Sequence, residues 1–190
     1  RKRATSVYLV DRTIPMLPHV LSTNYCSLNP DVDRLSMSAV FILDKDGNVE
    51  ERWFGETLIH SDKRFAYEDA QEVLDKQEGP MLAELNTLRD LARKMRTRRI
   101  AHGAVDFDTS EVKIELDEAG IPIAVRLKER RETNLLIEDF MLLANVAVAE
   151  ELAAQGKKHD NNPSIYRIHD APNAERIIDL SEFLKVLGYN

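Results

Sequence analysis

Apolar and polar residues alternate in two stretches of this chain and recur at helical spacing in four others, a pattern that reads as α+β. Ser36 to Leu43 and Val49 to Ser61 are rich in apolar, aromatic and β-branched residues. Between them Asp44-Lys45-Asp46-Gly47-Asn48 is a turn cluster, so a long antiparallel hairpin is expected. A second hairpin is expected where Val112, Ile114 and Leu116, then Ile121, Ile123, Val125 and Leu127, alternate with polar or small residues on either side of Asp117-Glu118-Ala119-Gly120. One of its faces should be buried and the other wet. Tyr67 to Gln77 reads as a short helix ended by Glu78-Gly79-Pro80. A longer helix should run from Pro80 to about Arg99, with Leu82, Leu85, Leu88, Leu91 and Met95 as its stripe. Glu132 to about Gln155 is apolar nearly all round, which places it at the centre of the fold. Ser164 to His169 reads as a short strand and Ala174 to Leu187 as an amphipathic helix. Prolines at 15, 18 and 30 keep residues 11–33 in extended and turn segments. The expected architecture is two antiparallel hairpins in a mixed sheet, packed against about four helices.

Composition narrows the function classes. The chain has 190 residues with only 7 Gly and 7 Pro, enough to bury a core and too few breakers for disorder. A net charge of −7 argues against nucleic-acid binding through overall positive charge. It leaves a local stripe: Arg89, Arg93, Lys94, Arg96, Arg98 and Arg99 crowd one helix against the single acid Asp90. That stripe suits either a solvated helix end complementing the dipole or a face that tracks phosphates, with Arg89, Arg93 and Arg96 as its backbone contacts. Cys26 stands alone, so no intramolecular disulfide forms and a reducing, cytoplasmic setting is expected. No apolar run reaches the length of a membrane span, and no membrane partner is expected.

Candidate chemistry is sparse. No nucleophile elbow and no glycine-rich phosphate loop occurs. Asp106 and Asp108 would point the same way on a strand and could hold a cation or serve as turn caps. His169-Asp170 could be a general base with its orienter. The better reading is a structural His beside an Asp that caps the last helix. Glu138 and Asn145 lie on one side of the apolar helix, where buried polar groups need partners. They either fix a neighbouring loop or line a polar site. Tyr8, Tyr67 and Phe107 stand outside the long apolar runs, which suits base stacking as well as ordinary rim positions.

A set of short motifs resembles one family in order and spacing. These are Thr5-Ser6-Val7-Tyr8, Ile14-Pro15-Met16-Leu17-Pro18, Cys26-Ser27-Leu28-Asn29-Pro30, Asp33-Arg34-Leu35 and Ile59-His60-Ser61. Arg64-Phe65-Ala66-Tyr67, Gly103-Ala104-Val105-Asp106-Phe107, Leu136 to Asn145 and Pro163 to Asp170 continue the series. Together they resemble the middle of the RNB catalytic domain of the RNase II and RNase R exoribonucleases, the RNase R branch more closely. The resemblance spans residues 1–190 as a partial RNB domain.

That resemblance implies processive, hydrolytic removal of nucleotides from the 3′ end of single-stranded RNA, releasing nucleoside 5′-monophosphates with Mg²⁺ at an aspartate cluster. It assigns Tyr8 and Phe107 to a clamp on the stacked terminal bases. Tyr67 and Glu138 it assigns to contacts with the terminal nucleotide that favour RNA over DNA. A phenol and a carboxylate suit a base edge or the 2′-OH. In the family the metal-binding aspartates lie upstream of the Thr-Ser-Val-Tyr motif, and the phosphate-contacting arginine lies downstream. No catalytic residue, no bound metal and no cleavage by these residues alone are therefore expected, and cold-shock and C-terminal OB-fold modules are the expected partners within one polypeptide. Two alternatives stand beside this reading: a non-enzymatic RNA-binding module on the same scaffold, and an unrelated metal-dependent hydrolase using Asp106, Asp108 and His169.

Overall fold

The computed structural model describes residues 4–106, 111–158, 165 and 167–189. The chain divides into two compact units, residues 1–149 and 150–190. The first opens with a small ladder of β1 (Val7–Tyr8) and β2 (Thr13–Ile14) and a π-helical turn over Val20–Tyr25. The long hairpin follows as β3 (Asp33–Leu43) and β4 (Val49–His60), then α1 (Tyr67–Lys76) and α2 (Leu82–Ala101). The second hairpin is β5 (Val112–Leu116) and β6 (Pro122–Leu127), and it leads into α3 (Glu132–Lys158). The second unit holds the end of α3 and α4 (Ala174–Val186).

Both hairpins turn on an aspartate. Asp44 Oδ1 accepts from the backbone N–H of Asp46 and of Asn48, each at 2.8 Å. Asp117 Oδ1 accepts from Ala119 N at 2.9 Å and Ile121 N at 2.8 Å. A short carboxylate that satisfies turn N–H groups is what makes Asp a turn former. The Asn48 side chain, and then its backbone, hold the Asp44 carboxyl below the usual carboxylate range. Gly47, at φ +76°, completes the first turn in a conformation L side chains resist.

α2 grips that turn. Buried Met95 lies against Gly47 so closely that a Cβ there would stand 3.1 Å from Met95 Cγ. Arg98 donates to Gly47 O at 2.8 Å and to the Asn48 side chain, while Lys94 donates to Lys45 O. The apolar core of this unit is made by Val73 and Leu74 of α1, Ala92 and Met95 of α2, and Leu136 and Ala147 of α3.

The α+β reading holds, and four details differ from it. Among the described residues the strands form separate two-stranded antiparallel sheets and not one mixed sheet, because each strand's ladder partner is its own hairpin neighbour. Among the described residues the second hairpin has no buried face: Val112, Ile123, Val125 and Leu127 are exposed. α3 is central on one side only. Thr133, Leu136, Asp139 and Ala147 are buried at helical spacing, whereas Ile137, Met141 and Val146 are exposed. Ile165 and residues 167–170 carry no regular structure where a strand was expected, and 164 and 166 lie outside the described residues. No helix is long and apolar enough to cross a membrane among the described residues.

Candidate nucleic-acid interface

Tyr8 ends β1 opposite Thr13 and is 80% exposed, an open ring beside a short ladder. Met16 N donates to Ser6 Oγ at 3.0 Å, which fastens the strand carrying Tyr8 to the proline-rich segment behind it.

Thr133 ties Tyr67 to the helix that carries Glu138. Tyr67 begins α1, and its carbonyl accepts from Thr133 Oγ1 at 3.0 Å. Thr133 N donates to Gln71 Oε1 at 3.2 Å, one turn further along α1. Thr133 is 3% exposed and stands in the first turn of α3, with Glu138 one to two turns beyond it on the same helix. Thr133 thus fixes the backbone of Tyr67 against the first turn of α3, the helix that also carries Glu138.

Glu138 is not the buried carboxylate that the apolar helix suggested. Its side chain is 41% exposed and that of Asp139 only 1%, because Asp139 points toward α2. Asp139 receives Arg96 Nη2 at 2.5 Å and Arg99 Nη1 at 2.7 Å, and Arg96 Nη2 also donates to Leu135 O at 2.7 Å. A carboxylate so deeply buried survives only when paired in this way. Asn145 is exposed, so its expected buried partner is not required.

Glu138 itself sits between two guanidinium groups. Arg130 Nη2 donates to its Oε2 at 2.9 Å, and Arg99 Nη2 lies 3.7 Å from its Oε1. The other arm of Arg130 donates to Asp106 Oδ1 at 2.7 Å. That hydrogen bond holds the Asp106 carboxyl below its usual range, and the hydrogen bonds to Asp106 and Glu138 push Arg130 up.

The basic stripe on α2 is engaged inside the chain. Arg89 meets Asp90 at 3.2 Å, Arg93 pairs with Glu132, Lys94 lies 3.4 Å from Asp46, and Arg98 holds the hairpin turn. Arg89, Arg93 and Arg96 line a cavity of about 210 Å³ between α2 and α3, together with Glu132 and Asp139. Arg93 projects furthest into solvent of the three.

Phe107 and Asp108 lie outside the described residues. His169 and Asp170 are exposed, and the cap of α4 is Asn173 in place of Asp170: its Oδ1 accepts from Glu175 N at 2.9 Å and Arg176 N at 3.3 Å. Asn173 immediately precedes the first helical residue, which is where a cap must stand. Cys26 is a free, exposed thiol.

The motif order and this arrangement meet in the comparison with known proteins: an RNB domain is matched across residues 1–189. The chain belongs to the RNB family. DIS3-like exonuclease 2 of Schizosaccharomyces pombe is 39% identical over 204 residues, covering 99% of this chain and 22% of that protein. Ribonuclease R of Ureaplasma parvum is 39% identical over 206 residues, covering 100% of this chain and 28% of that protein. Among solved structures, Mycoplasma genitalium RNase R in complex with ribose-methylated single-stranded RNA superposes with a TM-score of 0.84 at 26% identity, over 97% of this chain and 29% of that one. The chain thus spans about a quarter of the length of the curated relatives it matches. RNB membership overturns the alternative of an unrelated metal-dependent hydrolase built on Asp106, Asp108 and His169.

Within the RNB segment, the sequence reading passed over Thr133, Arg130 and Asp139. Their signals are present but faint. Arg96 and Arg99 are spaced to face one way on α2, and an acid pair, Glu138-Asp139, interrupts an apolar helix.

Proposed function

We propose that these residues form the nucleotide-recognition part of an exoribonuclease that hydrolyses single-stranded RNA processively from its 3′ end, releasing nucleoside 5′-monophosphates. The supporting observation is that Thr133 fastens Tyr67 to the first turn of α3, the helix from which the half-exposed Glu138 projects. Tyr67 and Glu138 are the two residues that the family resemblance pairs at the terminal nucleotide. A carboxylate can accept from a ribose 2′-OH and a deoxyribose offers nothing to accept from, which gives the site a chemical basis for choosing RNA. Tyr8 supplies an open face for stacking, a contact that is tolerant of sequence, and Phe107 is its counterpart in the clamp. Arg93, the most exposed of the cavity arginines, is the backbone contact, with Arg89 and Arg96 behind it.

The residues at hand do not fit a magnesium site. Among the described residues no group of three His, Cys, Asp or Glu side chains is placed to hold a cation, and Asp106 is committed to Arg130. In this proposal Mg²⁺, which activates the attacking water in such enzymes, is held by aspartates outside these residues. Cold-shock and OB-fold modules of the same polypeptide would deliver the RNA.

The test compares the 190-residue chain with the full-length gene product on 5′-labelled single-stranded RNA in Mg²⁺. The gene product is expected to shorten RNA stepwise to mononucleotides, and the 190-residue chain to bind without cutting. Mononucleotide release by the 190-residue chain after rigorous purification overturns the division of labour. Binding without cleavage by the gene product supports instead a non-enzymatic RNA-binding module.

A further inference from the structure

Glu138 faces Arg130 and Arg99 and does not stand free. Arg130 occupies the connection between β6 and α3 and uses its two terminal nitrogens on two carboxylates from different parts of the unit: Asp106 beyond α2, and Glu138 on α3. A planar guanidinium can span two acceptors in fixed geometry, whereas an ammonium is a single point of charge. On the far side, Arg99 approaches Glu138 while its other nitrogen is anchored at 2.7 Å on Asp139, the buried carboxylate. Asp106, Glu138 and Asp139 thus alternate with Arg130, Arg99 and Arg96 in one charge-balanced chain of contacts. Removing Arg130 would leave Asp106 and Glu138 as like charges without the group that holds them, and the Glu138 carboxylate would lose its only contact shorter than 3 Å among those described.

We propose that Arg130 is a positioning residue for RNA specificity: by bridging Asp106 and Glu138 it aims the Glu138 carboxylate at the 2′-hydroxyl of the terminal nucleotide. The inference rests on the recognition role given to Glu138 above. It adds the element that fixes that carboxylate, and it makes discrimination a property of the bridge and not of Glu138 alone. Arg130 itself need not touch the nucleic acid. Its effect on the ribose-to-deoxyribose ratio must therefore vanish when Glu138 can no longer respond.

The experiment measures fluorescence anisotropy of a labelled oligoribonucleotide and of the same oligonucleotide with one 3′-terminal 2′-deoxynucleotide, in EDTA so that nothing is cleaved. Four proteins are compared: wild type, Glu138→Ala, Arg130→Met and the double variant, each with its melting temperature. The expected result is that Arg130→Met lowers the ratio of affinities for the two ends by about tenfold, the worth of one charge-assisted hydrogen bond. The double variant should then match Glu138→Ala alone, in which no side-chain acceptor remains. If Glu138→Ala leaves the ratio unchanged, the recognition role itself fails and this inference falls with it. If Glu138→Ala lowers the ratio but Arg130→Met does not, or the two effects add, the recognition role survives and the positioning role is overturned. Should Arg130→Met not fold, Asp106→Asn and Arg130→Lys take its place. Each weakens the bridge, and each is expected to lower the ratio; a ratio unchanged in both overturns the proposal.

Discussion

Thr133 donates its hydroxyl to the carbonyl of Tyr67 at 3.0 Å, so a residue of α3 hidden from solvent determines where the first residue of α1 lies. Thr133→Val keeps the shape and removes the donor, taking from the Tyr67 carbonyl the hydrogen bond that ties it to α3. Urea denaturation should show a loss of about 1–2 kcal/mol. Thr133→Ser, which retains the hydroxyl, should lose less, and equal losses in the two variants would show that the hydrogen bond contributes nothing.

Asp139 gives a larger effect. Its side chain is buried and answers Arg96 and Arg99, so Asp139→Ala strands two guanidinium groups at a covered interface. The expected destabilisation is about 3 kcal/mol or more by denaturant titration. Glu72→Ala, which breaks an exposed pair with Lys76, should change stability by about 0.5 kcal/mol or less. Comparable losses at the two sites would contradict the burial argument.

Gly47 and Gly120 separate strain from packing. Both have positive φ, +76° and +79°, but a Cβ at Gly47 meets Met95 whereas one at Gly120 meets nothing within 4 Å. Ala at Gly120 should cost about 1 kcal/mol from backbone conformation alone. Ala at Gly47 should cost more, because Met95 must also yield. Thermal melts of the two variants check the difference.

His60 closes the far end of the long hairpin against Asp33, with Nδ1 2.8 Å from Oδ1. The hydrogen bond to Asp33 raises the imidazole above its ordinary 6.5 in the folded chain. A folded-state value above the unfolded one stabilises the protonated form. The contribution is therefore complete below pH 6.5 and disappears as pH rises through the folded value. Asp106 and Glu111, held low by Arg130 and Lys128, act in the opposite sense: their contribution is present above their unfolded values and is lost in acid. An NMR titration of the His60 ring should give a midpoint above 6.5 that Asp33→Asn brings back toward it. A midpoint unmoved by that substitution would rule out Asp33 as the cause.

Elements built on local chemistry were legible in the sequence. The two aspartate turns, the hairpins around them, and α1 and α2 follow from residues close together in the chain. What was not legible depends on which side of an apolar element is covered. α3 is apolar nearly all round, so periodicity cannot reveal that Leu136 faces inward and Met141 outward. The same ambiguity hid the polar site. Glu138 and Asp139 are adjacent, and only the approach of α2 decides that Asp139 is the buried one and Glu138 the half-exposed one. Arg130 could not be singled out among Arg126, Lys128, Arg130 and Arg131, because the bridge needs Asp106, which lies before the second hairpin, as well as Glu138 on the helix that follows. The cap of α4 moved from Asp170 to Asn173 for a simpler reason: both residue types cap, and only the helix start distinguishes them.

α2 holds the long hairpin at its turn through Lys94, Met95 and Arg98. From there β4 runs for 12 residues, about 40 Å of extended chain, to His60, a short connection before Tyr67. The far end of the hairpin is tied in turn to the segment before it: Arg34 Nε donates to Ser27 O at 3.1 Å, and Asp31 N donates to Ser61 O at 3.0 Å. The two ends of the hairpin are thus held by different parts of the chain, α2 at the turn and residues 24–31 at the other end, the end nearest in sequence to Tyr67. A substitution at Met95 or Arg98 therefore loosens one end of the hairpin while leaving the other end, next to the segment before Tyr67, held by its own contacts.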